Sequence, residues 1–470
     1  MSDNEKAFSS DEGHQEIHER PKGLWGWYSH PLTQTCMVGF VCFMCPGLFN
    51  ALNGLGAGGQ VDGTTNANAN AALYSTFAVF GFFGGSINNK LGSKVTLLLG
   101  SLGYCLYIGS YLAMNIHPNA GGFVVAAGAI LGICAGLLWS AQGSLMLSYP
   151  TESQKGTYIA VFWSIFNLGA VLGAAISLGQ NFNSTGNSVS NNTYIAFVAV
   201  TGLGTLIPMF LVNPKNIIRS DGTKPTIPVD PTWKVQIYGL WVALRTDPAI
   251  ILLFPMFFSS NWFYTWQFNE YNGAIFNIRA RSLNNFVYWT AQIVGSVCMS
   301  FLLDRKSLSR RTRAFASWAL LLILIFVTHI WAYFYQKQYD RNTYPKDRDD
   351  LRFDIDDSGY GGRAVLYVFF GILDAAWQTT IYWLMGAMSN DPAKLAYFSG
   401  FYKCIQSAGA AGVWRADAVG IPYMNVFIST WVLLVAGLAF ALPMIHSRVK
   451  NHTEPEDEAI ARLESEAAKS

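Results

Sequence analysis

Residues 132–173, GICAGLLWSAQGSLMLSYPTESQKGTYIAVFWSIFNLGAVLG, recur without a gap as residues 371–412, GILDAAWQTTIYWLMGAMSNDPAKLAYFSGFYKCIQSAGAAG, at an offset of 239. Gly132 and Ile133 fall on Gly371 and Ile372, Glu152 on Asp391, Lys155 on Lys394, and Tyr158, Phe162 and Gly173 on Tyr397, Phe401 and Gly412. Each copy reads as two apolar helices joined by a short polar turn. Two further segments agree. Asn89-Lys90 falls on Asp304-Arg305 at an offset of 215, and Asn50, Asn53 and Gly54 fall on Asn269, Asn272 and Gly273 at 219. A chain that repeats itself in one orientation folds as two parallel halves, the plan of transporters whose halves are related by an axis along the membrane normal.

The halves are membrane-embedded. Only 13% of residues are charged and 51% are hydrophobic, against roughly a quarter charged in soluble domains. Twelve apolar runs approach the ~20 residues that a membrane helix needs: 33–54, 70–88, 95–114, 121–147, 156–179, 194–212, 248–268, 283–303, 314–335, 362–388, 395–413 and 421–443. The expected fold is an all-α polytopic membrane protein, with twelve transmembrane helices as two parallel-repeat six-helix bundles. Its expected divisions are a tail at 1–30, a bundle at 31–213, a linker at 214–247, a bundle at 248–445 and a tail at 446–470. The lipid bilayer is the partner implied, and the formal charge of +2 gives no reason to expect nucleic acid. All seven cysteines lie within apolar runs, so a disulfide framework is not expected.

Lysine and arginine set the expected orientation. Lys90, Lys94, Lys155, Arg305, Lys306, Arg310 and Lys394 occupy one set of turns, and the loops 55–69, 115–120 and 180–193 carry no Lys or Arg. Both termini are therefore expected in the cytoplasm, in a plasma membrane or an endosomal or vacuolar one. Loop 336–361 has five basic residues offset by seven Asp. Two N-glycosylation sequons, at Asn183 and Asn191, fall in an outer loop.

Two stretches carry a family resemblance. Gly85-x-x-x-Asn89-Lys90-x-Gly92-x-Lys94 resembles the cytoplasmic signature between the second and third helices of the major facilitator superfamily, with Asn89 in place of the usual acid and Asp304-Arg305 as its echo. LLWSAQG followed by SYPTESQKGTYIAVFWSIFNLGAVLG resembles the Unc-ninety-three-like branch, also labelled ion channel regulatory proteins, and its fungal members most closely. The resemblance implies a facilitator fold and a central cavity between two bundles that rock about a small solute. The alternative it admits is a regulator or trafficking escort of another membrane protein, since some relatives act in that way. The helix 4 arginine common in proton antiporters of the superfamily is missing.

Differences between the two copies point to candidate solute-binding residues. Asp374 lies mid-span where the first half has Ala135, and Lys403 lies where it has Ser164. A charge near the membrane centre is costly and usually serves a site. The two lie within about two helical turns in depth, so an Asp374–Lys403 pair is expected. Trp139, Gln142, Trp163 and Asn167 match the region of Gln378, Ile381, Tyr402 and Gln406. These amides offer hydrogen bonds, and the rings offer stacking. The seventh span ends NWFYTWQFNEYNG, unusually polar, with Asn269 and Glu270 as gate or coupling candidates beside the cavity. Arg415 and Asp417 read as an interface pair.

Other motifs carry less. Gly54-Leu-Gly56-Ala-Gly58-Gly59 has the spacing of a dinucleotide loop, but no strand precedes it. Gly128, Gly132, Gly136, Gly169 and Gly173 read as close helix contacts. The histidines show no metal-ligand spacing and no nucleophile partner. Neither an enzyme nor a cofactor is expected.

Overall fold

Within a hydrocarbon layer each backbone N–H and C=O must find its partner inside the chain, which makes the helix the default element for the apolar runs. In a computed structural model, residues 18–450 are described apart from 61, 152–153, 185, 226–232, 306, 345–348 and 389–391. Among them no strand forms, and one isolated bridge joins Phe276 to Phe353. The helices are α1 (Gly23–Tyr28), α2 (Pro31–Met44), α3 (Pro46–Gly54), α4 (Gly63–Leu91), α5 (Ser93–Ile116), α6 (Gly121–Ser148), α7 (Lys155–Asn181), α8 (Asn191–Phe210), α9 (Trp233–Thr246), α10 (Phe254–Ser259), α11 (Ile278–Leu303), α12 (Arg310–Gln336), α13 (Tyr360–Met388), α14 (Pro392–Ala418) and α15 (Tyr423–Arg448).

The sequence repeat reappears as a repeat of packing. In the first half α4 packs on α6, α2–α3 on α7, and α5 on α8. In the second, α11 packs on α13, α10 on α14, and α12 on α15. The halves meet along two seams, α4 against α14 and α7 against α11. Each seam joins one span of the first half to the repeat mate of the other seam's partner, so the repeat exchanges the two. Buried apolar residues form one core drawn from residues 38–217 plus Ile278, and another from residues 250–449 plus Ala67, Ala71, Ala170 and Ala174.

Nine helical segments among the described residues are long and apolar enough to cross a membrane. The three remaining spans are polar or broken for identifiable reasons. α4 buries Asn66 and Asn70, and α14 carries Lys403, Gln406, Arg415 and Asp417. The expected seventh span, 248–268, is not one helix. A 3-10 segment leads into α10, and after a turn a π-helix runs over Thr265–Gly273 with all nine residues buried. Irregular backbone at that depth is tolerated because it is enclosed by protein, and π segments concentrate at functional positions.

The span at 33–54 is interrupted between α2 and α3 by Pro46, which lacks the N–H that a continuous helix uses. Within the linker at 214–247, α9 forms. The tails at 1–30 and 446–470 are entered by α1 and by the end of α15, and residues 1–17 and 451–470 lie outside the described residues.

The small-residue positions are helix contacts, as their spacing suggests. A Cβ on Gly132 would lie 2.0 Å from Thr76 Oγ1 and 2.1 Å from Leu73 O on α4, and one on Gly128 would lie 2.4 Å from Ala69 O. One on Gly169 would lie 2.2 Å from Phe43 O. Gly132→Leu therefore forces α6 off α4 and is expected to cost about 3 kcal/mol. Detergent-solubilised protein should lose its monodisperse elution peak, whereas Gly143→Leu, at a position with no neighbour within 4 Å, should keep it.

Candidate functional site

At mid-depth of the second half, Asp374 on α13 is 1% exposed. Its Oδ2 accepts from Tyr264 Oη at 2.8 Å, from Tyr288 Oη at 3.0 Å and from Gln292 Nε2, and its Oδ1 accepts from Gln378 Nε2 at 2.9 Å. A carboxylate surrounded by neutral donors is solvated without a counter-ion, as buried charge requires. The expected ion pair with Lys403 does not form among the described residues; Asp374 turns toward α11 and the broken seventh span, and Lys403 Nζ donates to Gln406 Oε1 at 3.1 Å. Lys403 also lies over the rings of Tyr402 and Tyr382, 5.0 and 5.8 Å from their centroids, where the ring faces attract its charge.

The two charged groups are instead the ends of one hydrogen-bonded chain. Gln378 donates to Asp374; Tyr402 Oη donates to Gln378 Oε1 at 3.1 Å; Gln406 Nε2 donates to Tyr402 Oη at 3.2 Å; Lys403 donates to Gln406. Gln406 also reaches Asn261 Oδ1 at 2.9 Å. Five of the second-half candidates, Asp374, Gln378, Tyr402, Lys403 and Gln406, thus form a single network.

Aromatic rings continue it to the first half. Tyr402 packs edge-on to Tyr382 at 5.3 Å, Tyr382 lies 6.2 Å from Trp163 on α7, and Trp163 stacks on Trp139 of α6 at 6.4 Å. Gln142 is nearly buried on α6, and Asn167 is half-buried on α7. Neither is hydrogen-bonded to a described residue.

Three ligands of Asp374 escaped the sequence reading: Tyr264, Tyr288 and Gln292. A signal existed. Asn284, Tyr288 and Gln292 stand at i, i+4 and i+8, one polar stripe along an apolar helix. Asn284 donates to Asn272 Oδ1 at 3.0 Å and accepts from Tyr360 at 2.9 Å. The repeat mate of Asn272 plays the same part in the first half, where Asn53 Oδ1 accepts from Asn66 at 3.3 Å and Asn70 at 3.1 Å.

Asn269 and Glu270 sit apart from this network, in the π-helix at the end distal to the termini. There the halves are tied by polar bonds. Arg281, 0% exposed, donates to first-half carbonyls: Nε to Leu55 at 2.7 Å, Nη1 to Asn187 at 2.8 Å, both terminal nitrogens to Gln60 at 3.3 Å, and Nη2 to Gly56. The loop that presents Gly56 is the glycine-rich motif. Its φ values are positive at Gly56, Ala57, Gly58 and Gly59, and a Cβ on Gly56 would lie 2.1 Å from Phe268 O of the other half. Glycine is required by close approach rather than by a phosphate. Asn285 Nδ2 donates to Ala51 O at 2.7 Å, and Asn272 Nδ2 to Gly54 O at 2.9 Å. Arg415 and Asp417 do not pair with each other: Arg415 Nη1 donates to Asn68 Oδ1 at 2.7 Å, whereas Asp417 accepts from Arg341 and Asn269.

At the end carrying the termini, Gly92 bridges α4 and α5 at φ +77°, a conformation that disfavours side chains. Gly85 is half-buried, and Lys90, Lys94, Asp304 and Arg305 are exposed. The side chain of Asn89 lies outside the described residues. Asn183 is exposed in its loop; Asn191 begins α8, and its Oδ1 accepts from Asn115 at 2.6 Å.

Comparison with known proteins gives consistent matches. Residues 35–412 match the family model described as Major Facilitator Superfamily. The chain is 46% identical over 436 residues to the UNC93-like protein C922.05c of Schizosaccharomyces pombe, covering 93% of this chain and 86% of that one. It is 40% identical over 458 residues to UNC93-like protein 1 of Arabidopsis thaliana, covering 97% and 98%. Among solved structures it is similar to a partially occluded inward-open conformation of the xylose transporter XylE from E. coli, with a TM-score of 0.61, 14% identity, and coverage of 90% and 98%.

Proposed function

Because the chain belongs to the major facilitator superfamily, and within it to the UNC93-like proteins, we propose that this multi-pass membrane protein carries a small solute by alternating access between its two halves. The observation that carries the reading is the mid-depth network that runs from Asp374 to Lys403. Ionisable groups held in the centre of a membrane protein serve pathways more often than packing. The Trp139–Trp163 pair of the first half meets this network through Tyr382 and offers ring faces to the solute, with Gln142 and Asn167 of the same helices offering hydrogen bonds.

The distribution of Lys and Arg supports cytoplasmic termini, in a plasma membrane or an endosomal or vacuolar one. The distal end then faces outward, and the Arg281 bonds close it. Alternating access then has the solute site open toward the cytoplasm whenever the distal end is closed. Asn183, exposed on the outer side, is the favoured glycan acceptor.

A cysteine at Gln142, in a background without the seven native cysteines, tests the pathway. An impermeant maleimide should modify it in inside-out vesicles and not in right-side-out ones. Adding Arg281→Ala should make it reactive from the outside. Protection from both sides in both proteins would remove the carrier reading and favour a regulator or escort of another membrane protein, which should then co-purify as a stoichiometric partner.

A further inference from the structure

At the distal end, Glu270 and Asp417 are gathered on one guanidinium nitrogen. Arg341 Nη2 donates to Glu270 Oε1 at 3.2 Å and to Asp417 Oδ1 at 2.8 Å. Glu270 is 0% exposed and Asp417 7%. Sharing one Arg341 nitrogen holds the two carboxyls close together in a buried place. Glu270 Oε2 is buried and has no hydrogen-bond donor among the described residues. Two carboxylates and one guanidinium leave an uncompensated negative charge in a water-poor place, and like charges at such a site cannot both stay ionised. One proton on Glu270 removes the excess charge and leaves the unpartnered Oε2 neutral.

The other groups facing the pair do not supply that proton's charge. Tyr339, from the loop after α12, donates its hydroxyl to the Glu270 backbone carbonyl at 3.1 Å. Tyr423 of α15 lies beneath Arg341, its ring centroid 4.4 Å from the guanidinium carbon. Arg352 is committed to the carbonyls of Gly273 and Ala274 at 2.7 and 3.0 Å. Asn269 links the pair to the seam between the halves. Its Nδ2 donates to Asp417 Oδ2 at 2.9 Å, and its Oδ1 accepts from the Ala57 backbone N–H of the first half at 2.7 Å.

We infer that Glu270 and Asp417 form a proton-binding site whose occupancy is coupled through Asn269 to closure of the distal end. The inference rests on the two-state reading above. In the closed state the site is buried and holds its proton. Loss of the proton leaves a buried charge that is relieved only by admitting water, which separates Asn269 from Ala57. The linkage has one sign: the closed state binds the proton more tightly, so acid favours closure and alkali favours opening. With the distal end outward, acid outside the membrane commits the loaded carrier to the inward-facing state.

Spin labels on Asn119→Cys and Ser358→Cys, both exposed and on opposite halves at the distal end, report the separation in purified protein in lipid nanodiscs. The wild type should show a short distance at low pH and a growing long one as pH rises. The ratio should change by up to about tenfold per pH unit, the limit for one proton. Glu270→Gln should hold the short distance at every pH. If that variant does not fold, Asp417→Asn serves, and it should lose the pH response likewise. A long distance that appears in Arg281→Ala while the wild type ignores pH would overturn the proton site alone, as would a Glu270→Gln protein that responds like the wild type. A single distance in wild type and Arg281→Ala at every pH would overturn the two-state reading and this inference with it.

Discussion

Arg281→Ala is expected to shift the protein toward a state open at the distal end by about a hundredfold. The guanidinium is fully buried, and its partners are backbone carbonyls of Leu55, Gly56, Gln60 and Asn187 in the opposite half. A hydrogen bond to a charged group contributes about 1.5–3 kcal/mol, and removing the donor leaves buried acceptors without partners. In the open state the same carbonyls and the arginine are hydrated, so the loss falls on the closed state. A net difference of about 3 kcal/mol is a ratio of roughly a hundred. Arg281→Lys keeps the charge but not the planar fork, so it should recover only part of the closure. The distance between labels at Asn119 and Ser358 measures both variants. Closure unchanged in Arg281→Ala would mean that the remaining seam bonds, such as Asn285 to Ala51 and Asn272 to Gly54, suffice.

Asp374→Asn should abolish solute movement while the protein still folds, with at least a tenfold loss in rate. An asparagine can place its carbonyl oxygen where Tyr264, Tyr288 and Gln292 donate. Its amide then faces Gln378, which must turn its own oxygen inward. That reversal propagates, because Tyr402 now donates to Gln378 Oε1 and would meet an amide instead. The polarity of the chain is broken between Asp374 and Lys403 at the cost of no volume. Asp374→Ala is a different lesion. It strands four donors, Tyr288 buried and Tyr264, Gln292 and Gln378 half-buried, and is expected to cost about 3–5 kcal/mol in stability, the range for breaking a buried charged network. Thermal unfolding in detergent separates the two: Asn near wild type, Ala well below it. A stable Asp374→Ala protein with full activity would remove Asp374 from both roles.

What the chain discloses before folding depends on whether a signal is local. The two-fold plan is legible because the helical hairpins at 132–173 and 371–412 share their turn as well as their apolar faces. Asp374 and Lys403 are legible because charge inside an apolar run is costly. Their partners are not, since the pairing expected from depth alone ignores which helix each side chain faces. Arg281 was missed for a similar reason. It stands two residues from Arg279 at the edge of α11, where both look like interfacial charges. Positions i and i+2 of a helix point in nearly opposite directions. Arg279 turns out to Asp354 and Asp356, each at 2.6 Å, and Arg281 turns into the seam. The Glu270 site joins residues 71 positions apart through a loop whose charges seemed to cancel, and no periodicity records that. The break in the seventh span follows from the tertiary enclosure of its polar residues, which only the folded chain supplies.

The most direct measurement compares the small molecules inside and outside cells that carry the wild type, no protein, or Asp374→Asn at matched membrane levels. The account predicts that at least one compound is redistributed on deletion and that Asp374→Asn redistributes the same compound to the same extent. A deletion that shifts a compound while Asp374→Asn behaves as wild type would contradict the assigned site. Unchanged distributions in all three, across growth media, would contradict transport itself.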